Sequence, residues 1–255
     1  MTSFDIRIFG HLAIFTLTNG AQHNLLTPDA AENIAAAITQ LSADPDIKAL
    51  AITGSAGAFC SGADLTALQQ AAAGDGSDLQ RIYTAFTSVA SSHLFTIALV
   101  NGPAVGAGMN LAMACDIRLA SPNAWFESRF FQLAIHPGGG HTWLLPQLLG
   151  WQQASAMIFA AEKLNAQQAL HHGFIKEIVP EDELVTRAKQ FTAGLATVPT
   201  ALVKQTKQTM LAMRQCQDLS TAVATEFEAQ FASLQQDAAL QQIAQLKQKL
   251  TRGAR

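Results

Sequence analysis

Residues 58–65, Ala-Phe-Cys-Ser-Gly-Ala-Asp-Leu, and residues 101–108, Asn-Gly-Pro-Ala-Val-Gly-Ala-Gly, are two glycine-punctuated segments, each set between a strand-like apolar run and a helix-like stretch. Small residues at Gly62, Ala63, Gly106, Ala107 and Gly108 let a ligand approach the main chain closely. A helix that starts just after such a turn leaves its first N–H groups without intrahelical partners. The pair is therefore raw material for two backbone donors aimed at one oxygen, an oxyanion hole. A strand followed by a glycine turn is common in α/β proteins, so the weight rests on the pair and its spelling.

Outward from these segments the chain keeps an α/β rhythm. Ala49 to Thr53 and Thr96 to Val100 read as short buried strands that feed the two turns. Upstream, Phe4, Ile6 and Ile8 alternate with Asp5 and Arg7, Gly10 breaks the run and Leu12 to Leu17 resumes it, which predicts an antiparallel hairpin. Thr27 is placed to cap a helix, with Pro28 in its first turn and Ile34, Ile38 and Leu41 on one face. Residues 65–92 read as two helices around Ala-Ala-Ala-Gly-Asp-Gly-Ser at 71–77, an interruption that could serve as a lid. A helix over Met109–Ala114, strands over 116–120 and 123–126, and a helix over 142–149 after Gly138-Gly139-Gly140 complete the first two thirds. Beyond Pro199 only helices are predicted, with one apolar stripe through Val223, Phe227, Phe231 and Leu234 and another through Ile243, Leu246 and Leu250. Such stripes must cover the core or a neighbouring subunit.

With 255 residues, 49% hydrophobic, 14% charged and a formal net charge of -3, the chain reads as globular, with no electrostatic case for nucleic acid or an anionic membrane. No apolar run approaches the roughly twenty residues that span a bilayer, and Met1-Thr2-Ser3-Phe4-Asp5 does not read as a signal peptide. Cys60, Cys115 and Cys216 lack metal-site spacing and read as buried free thiols, so the expected compartment is the cytoplasm.

The spellings AFCSGADL at 58–65, VNGPAVGAGMNLAMACD at 100–116 and AAEKLNAQQALHHG at 160–173 resemble the crotonase superfamily, the enoyl-CoA hydratase/isomerase family, and the resemblance runs from about Phe4 to Met210. It implies an α/β fold whose core, expected over 1–198, is a spiral of ββα units with the acyl-CoA site. A C-terminal helical region, expected over 199–255, would pack subunits into a homotrimer or homohexamer. The implied ligand is an acyl-CoA thioester, with coenzyme A entering as part of the substrate and no separate cofactor or metal. The backbone N–H groups of Ala63 and Ala107 would then bond the thioester oxygen, which gains charge as an enolate when chemistry occurs beside it. Asn24 and Leu25 would meet the nucleotide end of coenzyme A, and Ala58, Gly62, Asp64, Leu65 and Gly106 would line the thioester. The resemblance is incomplete there: the basic residue usual before Asn24 is absent, and Thr66 stands where a lysine is often found.

Hydratases of this family carry two glutamates, and the ungapped positions here are Asn110 and Phe130; a third acidic position used by some isomerases, hydrolases and dehalogenases falls on Gly138. None can exchange a proton near neutral pH. Asn110, Phe130 and Gly138 are thus expected to line the acyl group, with Phe130 favouring a hydrophobic one. Proton transfer would fall to Glu127, His136 or His141: a carboxylate whose pKa is raised in an apolar pocket, and two imidazoles titrating near neutrality. His136 precedes a proline and is forced extended, which could aim it inward; His141 at a helix start would favour its neutral form. In the structural alternative Glu127 pairs with Arg129 and both histidines bond loop carbonyls. His171 and His172 read as helix C-terminal groups, and Trp125, Trp143, Phe130 and Phe131 as pocket or core filler.

Gly102, Gly106 and Gly108 do not make a dinucleotide fingerprint, because the spacing is wrong and Pro103 intrudes. Ser61 and Ser128 lack the strained elbow of a peptidase nucleophile. Two readings stay open: an enzyme of the hydratase/isomerase class, hydrolysis included, and a non-catalytic acyl-CoA carrier or sensor on the same fold.

Overall fold

The computed structural model describes residues 4–253. In chain order the elements are β1 (Phe4–Phe9), β2 (Leu12–Leu17), α1 (Pro28–Ala43), β3 (Ala49–Gly54), α2 (Leu65–Ala72), α3 (Ser77–Ser91) and β4 (Phe95–Val100), then β5 (Ala104–Val105), α4 (Ala107–Ala114), β6 (Ile117–Ala120) and β7 (Trp125–Glu127). They continue through α5 (His141–Phe159), β8 (Leu164–Asn165), α6 (Ala166–His171), β9 (Glu177–Ile178) and α7 (Leu184–Thr192) to α8 (Thr200–Met213), α9 (Leu219–Leu234) and α10 (Asp237–Gly253). The chain divides into two compact units between Ala196 and Thr197.

In the first unit one sheet has the order β1-β2-β3-β4-β6-β9, antiparallel at the β1–β2 hairpin and parallel elsewhere. The hairpin forms because Gly10 supplies a φ of +60° at its turn. The parallel neighbours follow from the helical crossovers between them. Central strands of such a sheet are covered on both faces, so β3 and β4 read as unbroken apolar runs. Phe15, Leu50, Ile52, Ala98 and Val100 point into one core with α1, α3 and α4, while Leu12, Ile14, Ala49, Ala51, Ile97 and Leu99 join Leu184 and Ala188 of α7 on the other face. Thr27 caps α1 by accepting the Ala30 N–H at 3.1 Å. A smaller sheet, β5-β7-β8, stands beside the second glycine turn.

Because β3 and β4 are adjacent and parallel, with Thr53 opposite Leu99, both glycine segments leave the same edge of the sheet. There they are sewn together. Pro103 O accepts the N–H groups of Phe59 and Cys60 at 3.2 and 3.1 Å, and Cys60 O accepts that of Val105 at 3.0 Å. Asn101 Oδ1 reaches back to the Gly54 N–H at 3.2 Å. The approach is so close that a Cβ on Gly102 would sit 2.0 Å from the Gly57 carbonyl oxygen.

Some expectations need correction. The helix expected to end at Leu149 resumes after Gly150, whose φ of 75° and ψ of 166° break it, and runs to Phe159. β8 and β9 are two-residue strands, too short to leave a periodic signature. Trp143 and Phe131, expected as filler, are 53% and 45% exposed. Cys60 and Cys115 are buried, but Cys216 is only partly so. In the second unit α8 packs on α9, and the stripe Val223, Phe227, Phe231 and Leu234 is exposed. Among the described residues no helix is long and apolar enough to cross a membrane.

Gly102→Ala forces backbone apart where two loops touch. It is expected to lower unfolding stability by about 1–3 kcal/mol, the range for overpacking, read as a shift in urea midpoint at unchanged m-value.

Candidate active site

Ala63 lies in a parallel bridge with Leu26. The ladder bonds of that bridge run from the Leu26 N–H to Gly62 O at 2.8 Å and from the Asp64 N–H to Leu26 O at 3.1 Å. In this pattern the central residue's own N–H points to the opposite side, away from Leu26. Gly62, at φ +121°, makes the turn that aims it. Asp64 ends the segment by capping α2, its carboxylate accepting from the Thr66 N–H at 3.1 Å.

Ala107 is the first residue of α4, where an N–H has no intrahelical acceptor. Gly106 turns the chain into that helix at φ +51°. The Gly106 N–H is taken by Glu127 O at 2.9 Å, and Gly106 O accepts from the Asn110 N–H at 3.0 Å. The two turns sit side by side. A Cβ on Gly62 would be 3.4 Å from Val105 O, and one on Gly108 only 2.0 Å from Cys60 O. Among the described residues no acceptor takes the N–H of Ala63 or Ala107.

One turn along α4, Asn110 is 1% exposed. Its Nδ2 donates to Gly138 O at 2.8 Å, which leaves Oδ1 to face His141 Nδ1 at 2.7 Å. An amide oxygen only accepts, so Nδ1 of His141 carries the proton and Nε2 holds the lone pair. That Nε2 is buried and has no partner. The Phe130 ring lies edge-on to the imidazole at 4.9 Å. Burial holds the His141 pKa down at about 4, so the ring is neutral at pH 7.

Glu127 and His136 depart from the expected roles. Glu127 is buried, yet its carboxylate is bonded by Arg129 and by Gln132 at 2.8 Å, with Lys163 at 3.5 Å. Burial alone would raise its pKa, but those hydrogen bonds and charges outweigh it and hold the group below the ordinary carboxylate range. It is an ionised structural anchor under the Gly106 turn, as the pairing alternative has it. His136 is exposed, with Nδ1 2.8 Å from the carbonyl oxygen of Pro137.

Asn24 also serves the scaffold. Fully buried at φ 56°, it donates to Ser55 O at 2.9 Å and Ala58 O at 2.7 Å and accepts from Ser55 Oγ at 3.2 Å. Its side chain is thus bonded within the protein and ties this segment to the loop at 55–58. Leu25 is half-buried, Ala58 buried and Leu65 exposed.

A profile of the enoyl-CoA hydratase/isomerase family matches residues 8–250. The chain belongs to that family, the crotonase superfamily. A protein of Mycobacterium tuberculosis named probable enoyl-CoA hydratase is 42% identical over 204 residues, 79% of this chain and 78% of its own length. The enoyl-CoA hydratase of Bacillus anthracis superposes with a TM-score of 0.89 at 27% identity, covering 97% of each chain. A Thermobifida fusca structure in complex with acetoacetyl-CoA superposes at 0.80 with 27% identity, over 91% of this chain and 94% of that one. The crotonase fold explains why the two glycine turns share one sheet edge. It does not explain the Asn110–His141 pair, which no spacing rule links across thirty-one residues.

The His141 shift predicts a pH-dependent stability. The group titrates at about 4 when folded against 6.5 as its ordinary value, so the unfolded chain binds more protons between those limits. Its contribution is whole above about pH 6.5 and fades as pH falls towards 4, by up to about 3 kcal/mol. Urea unfolding across pH 4–7 should show this slope in the wild type and lose it in His141→Gln.

Proposed function

We propose that this crotonase is an acyl-CoA enzyme of the enoyl-CoA hydratase/isomerase class that holds a thioester enolate between the N–H groups of Ala63 and Ala107. The observation that carries the reading is the pair of unpartnered N–H groups on two turns sewn side by side. Donors held in place need no reorganisation as charge develops on the thioester oxygen, and they act more strongly on the enolate than on the neutral carbonyl. Family membership and the acetoacetyl-CoA bound by the Thermobifida fusca relative support a thioester ligand. Coenzyme A is then part of the substrate, and no separate cofactor is invoked.

The acid/base set is atypical. With Glu127 ion-paired and His136 exposed, His141 is the candidate that keeps a buried, unpartnered nitrogen. Asn110 and Gly138 hold it in place, and the neighbouring Phe130 ring favours an apolar acyl group. The carrier or sensor reading gains from the same two corrections, since they remove two of three proton-transfer candidates while leaving the donors intact. We place the chain in the cytoplasm as a trimer or hexamer, with the exposed Phe227 and Phe231 stripe of α9 covered by another copy.

Three measurements test these readings. Calorimetric titration of acyl-CoA and enoyl-CoA thioesters, paired with product mass, should show binding and turnover of at least one enoyl-CoA. Binding without any product would favour the carrier. Ala63→Pro deletes one N–H and should cut turnover about 10²–10³-fold, the usual loss for one such donor; unchanged turnover would remove Ala63 from the oxyanion role. Light scattering at micromolar concentration should report an oligomer, and a monomer would contradict the covering of α9.

A further inference from the structure

The turn at Gly138–Gly139 is pressed from two sides. On one side Asn110 donates to Gly138 O. On the other, α3 brings up Tyr83 and, one turn later, the buried Phe86, with ring centroids 6.0 Å apart. A Cβ on Gly138 would lie 2.3 Å from the Tyr83 hydroxyl oxygen, and one on Gly139 would lie 2.7 Å from both Asn110 Nδ2 and Phe86 Cε2. Gly138 does not have a positive φ, so its backbone would accept a side chain; what such a side chain would have to displace is the phenol. The Tyr83 hydroxyl therefore fills the volume that a side chain at position 138 would occupy.

Tyr83 is the chain's single tyrosine, and it is half-buried. Burial raises its pKa and keeps it protonated, while the Gly139 N–H acts in the opposite sense by favouring the phenolate. No acceptor for its proton is found among the described residues. Tyr83, the Gly138 turn, Asn110 and His141 thus form one contiguous strip, and that strip joins α4 one turn from the Ala107 N–H.

We propose that Tyr83 is the proton donor of this site, its hydroxyl supplying the α-carbon of the enolate while His141 Nε2 accepts a proton on the other side of the reaction. The assignment rests on the thioester reading above. In hydration, the water oxygen bonds to Cβ as the Cα=Cβ pair shifts towards the thioester oxygen, and the spare water proton goes to Nε2. The enolate then re-forms its carbonyl, and its electron pair takes the Tyr83 proton to make the Cα–H bond. A phenolate and an imidazolium remain; the first gains one proton and the second loses one through solvent, leaving one water added across the double bond. The Gly139 N–H steadies the phenolate meanwhile.

The test compares wild type, Tyr83→Phe, Gly138→Ala and the double variant, using crotonyl-CoA hydration, deuterium wash-in at Cα of butyryl-CoA, calorimetric thioester binding and a thermal melt for folding. Both single variants should lower turnover and wash-in about 10²-fold or more, the scale of one acid/base group, with binding largely retained. Because Gly138→Ala acts by displacing the hydroxyl, it should cost little further once that hydroxyl is gone, a strongly non-additive cycle. Wild-type rates in Tyr83→Phe would overturn Tyr83 as donor and leave the thioester reading standing. So would a Gly138→Ala loss of equal size in both backgrounds. A wild type that binds thioesters yet neither hydrates nor exchanges would overturn both the donor and the enzymatic reading in favour of the carrier, and one that binds none would overturn the thioester reading and this assignment together.

Discussion

Main chain against main chain at the edge of the sheet is the contact on which the rest of this protein turns. Between residues 59–60 and residues 103–105 the two loops share backbone hydrogen bonds of 3.0–3.2 Å. At Gly102 and Gly108 the approach leaves no room for a β-carbon. Such contact is possible only because β3 and β4 are parallel neighbours that end together, and because Asn24 ties the N-terminal segment to the loop at 55–58. With both turns locked, the N–H groups of Ala63 and Ala107 are directed by bonds made on their far sides. Neither N–H is taken by an acceptor among the described residues.

Electrostatics around the second turn divides labour between groups that look alike in sequence. Glu127 is buried and charged because two cations and an amide meet it, and its backbone carbonyl holds the Gly106 N–H. A buried carboxylate without those partners would be neutralised; with them it becomes a fixed anchor. His141 is buried without an opposing charge and is held neutral. The amide of Asn110 decides which nitrogen carries its proton. An amide at this position therefore reads as a device that orients an imidazole, and the pair takes its meaning from the glycine turn that both residues border.

Much of the fold was legible in the chain. The β1–β2 hairpin, the Thr27 cap, the buried runs of β3 and β4 and the break near residues 71–77 all follow from period, capping and breaker residues, which act over a few positions. The two glycine turns were legible as a pair because close backbone approach demands small residues. The shorter strands β8 and β9 were not, since two residues carry no period. Hydrophobicity alone does not say which face of a turn meets the core, so Trp143 and Phe131 read as pocket or core filler in the chain and stand exposed in the fold.

The candidate site divides along the same line. Sequence by itself determined the two backbone donors as candidates, through residue types at local spacing, and through its resemblance to the crotonase family it implied the fold and the missing carboxylates at Asn110, Phe130 and Gly138. Only the tertiary structure decided that Glu127 is ion-paired, that His136 faces outward, that Asn110 grips His141, and that Tyr83 fills the space beside Gly138. Those relations join residues two to fifty-five positions apart. Their outcome depends on which cation, carbonyl or ring the packing brings within about 3 Å, the hydrogen-bond range in which charge and proton position are settled.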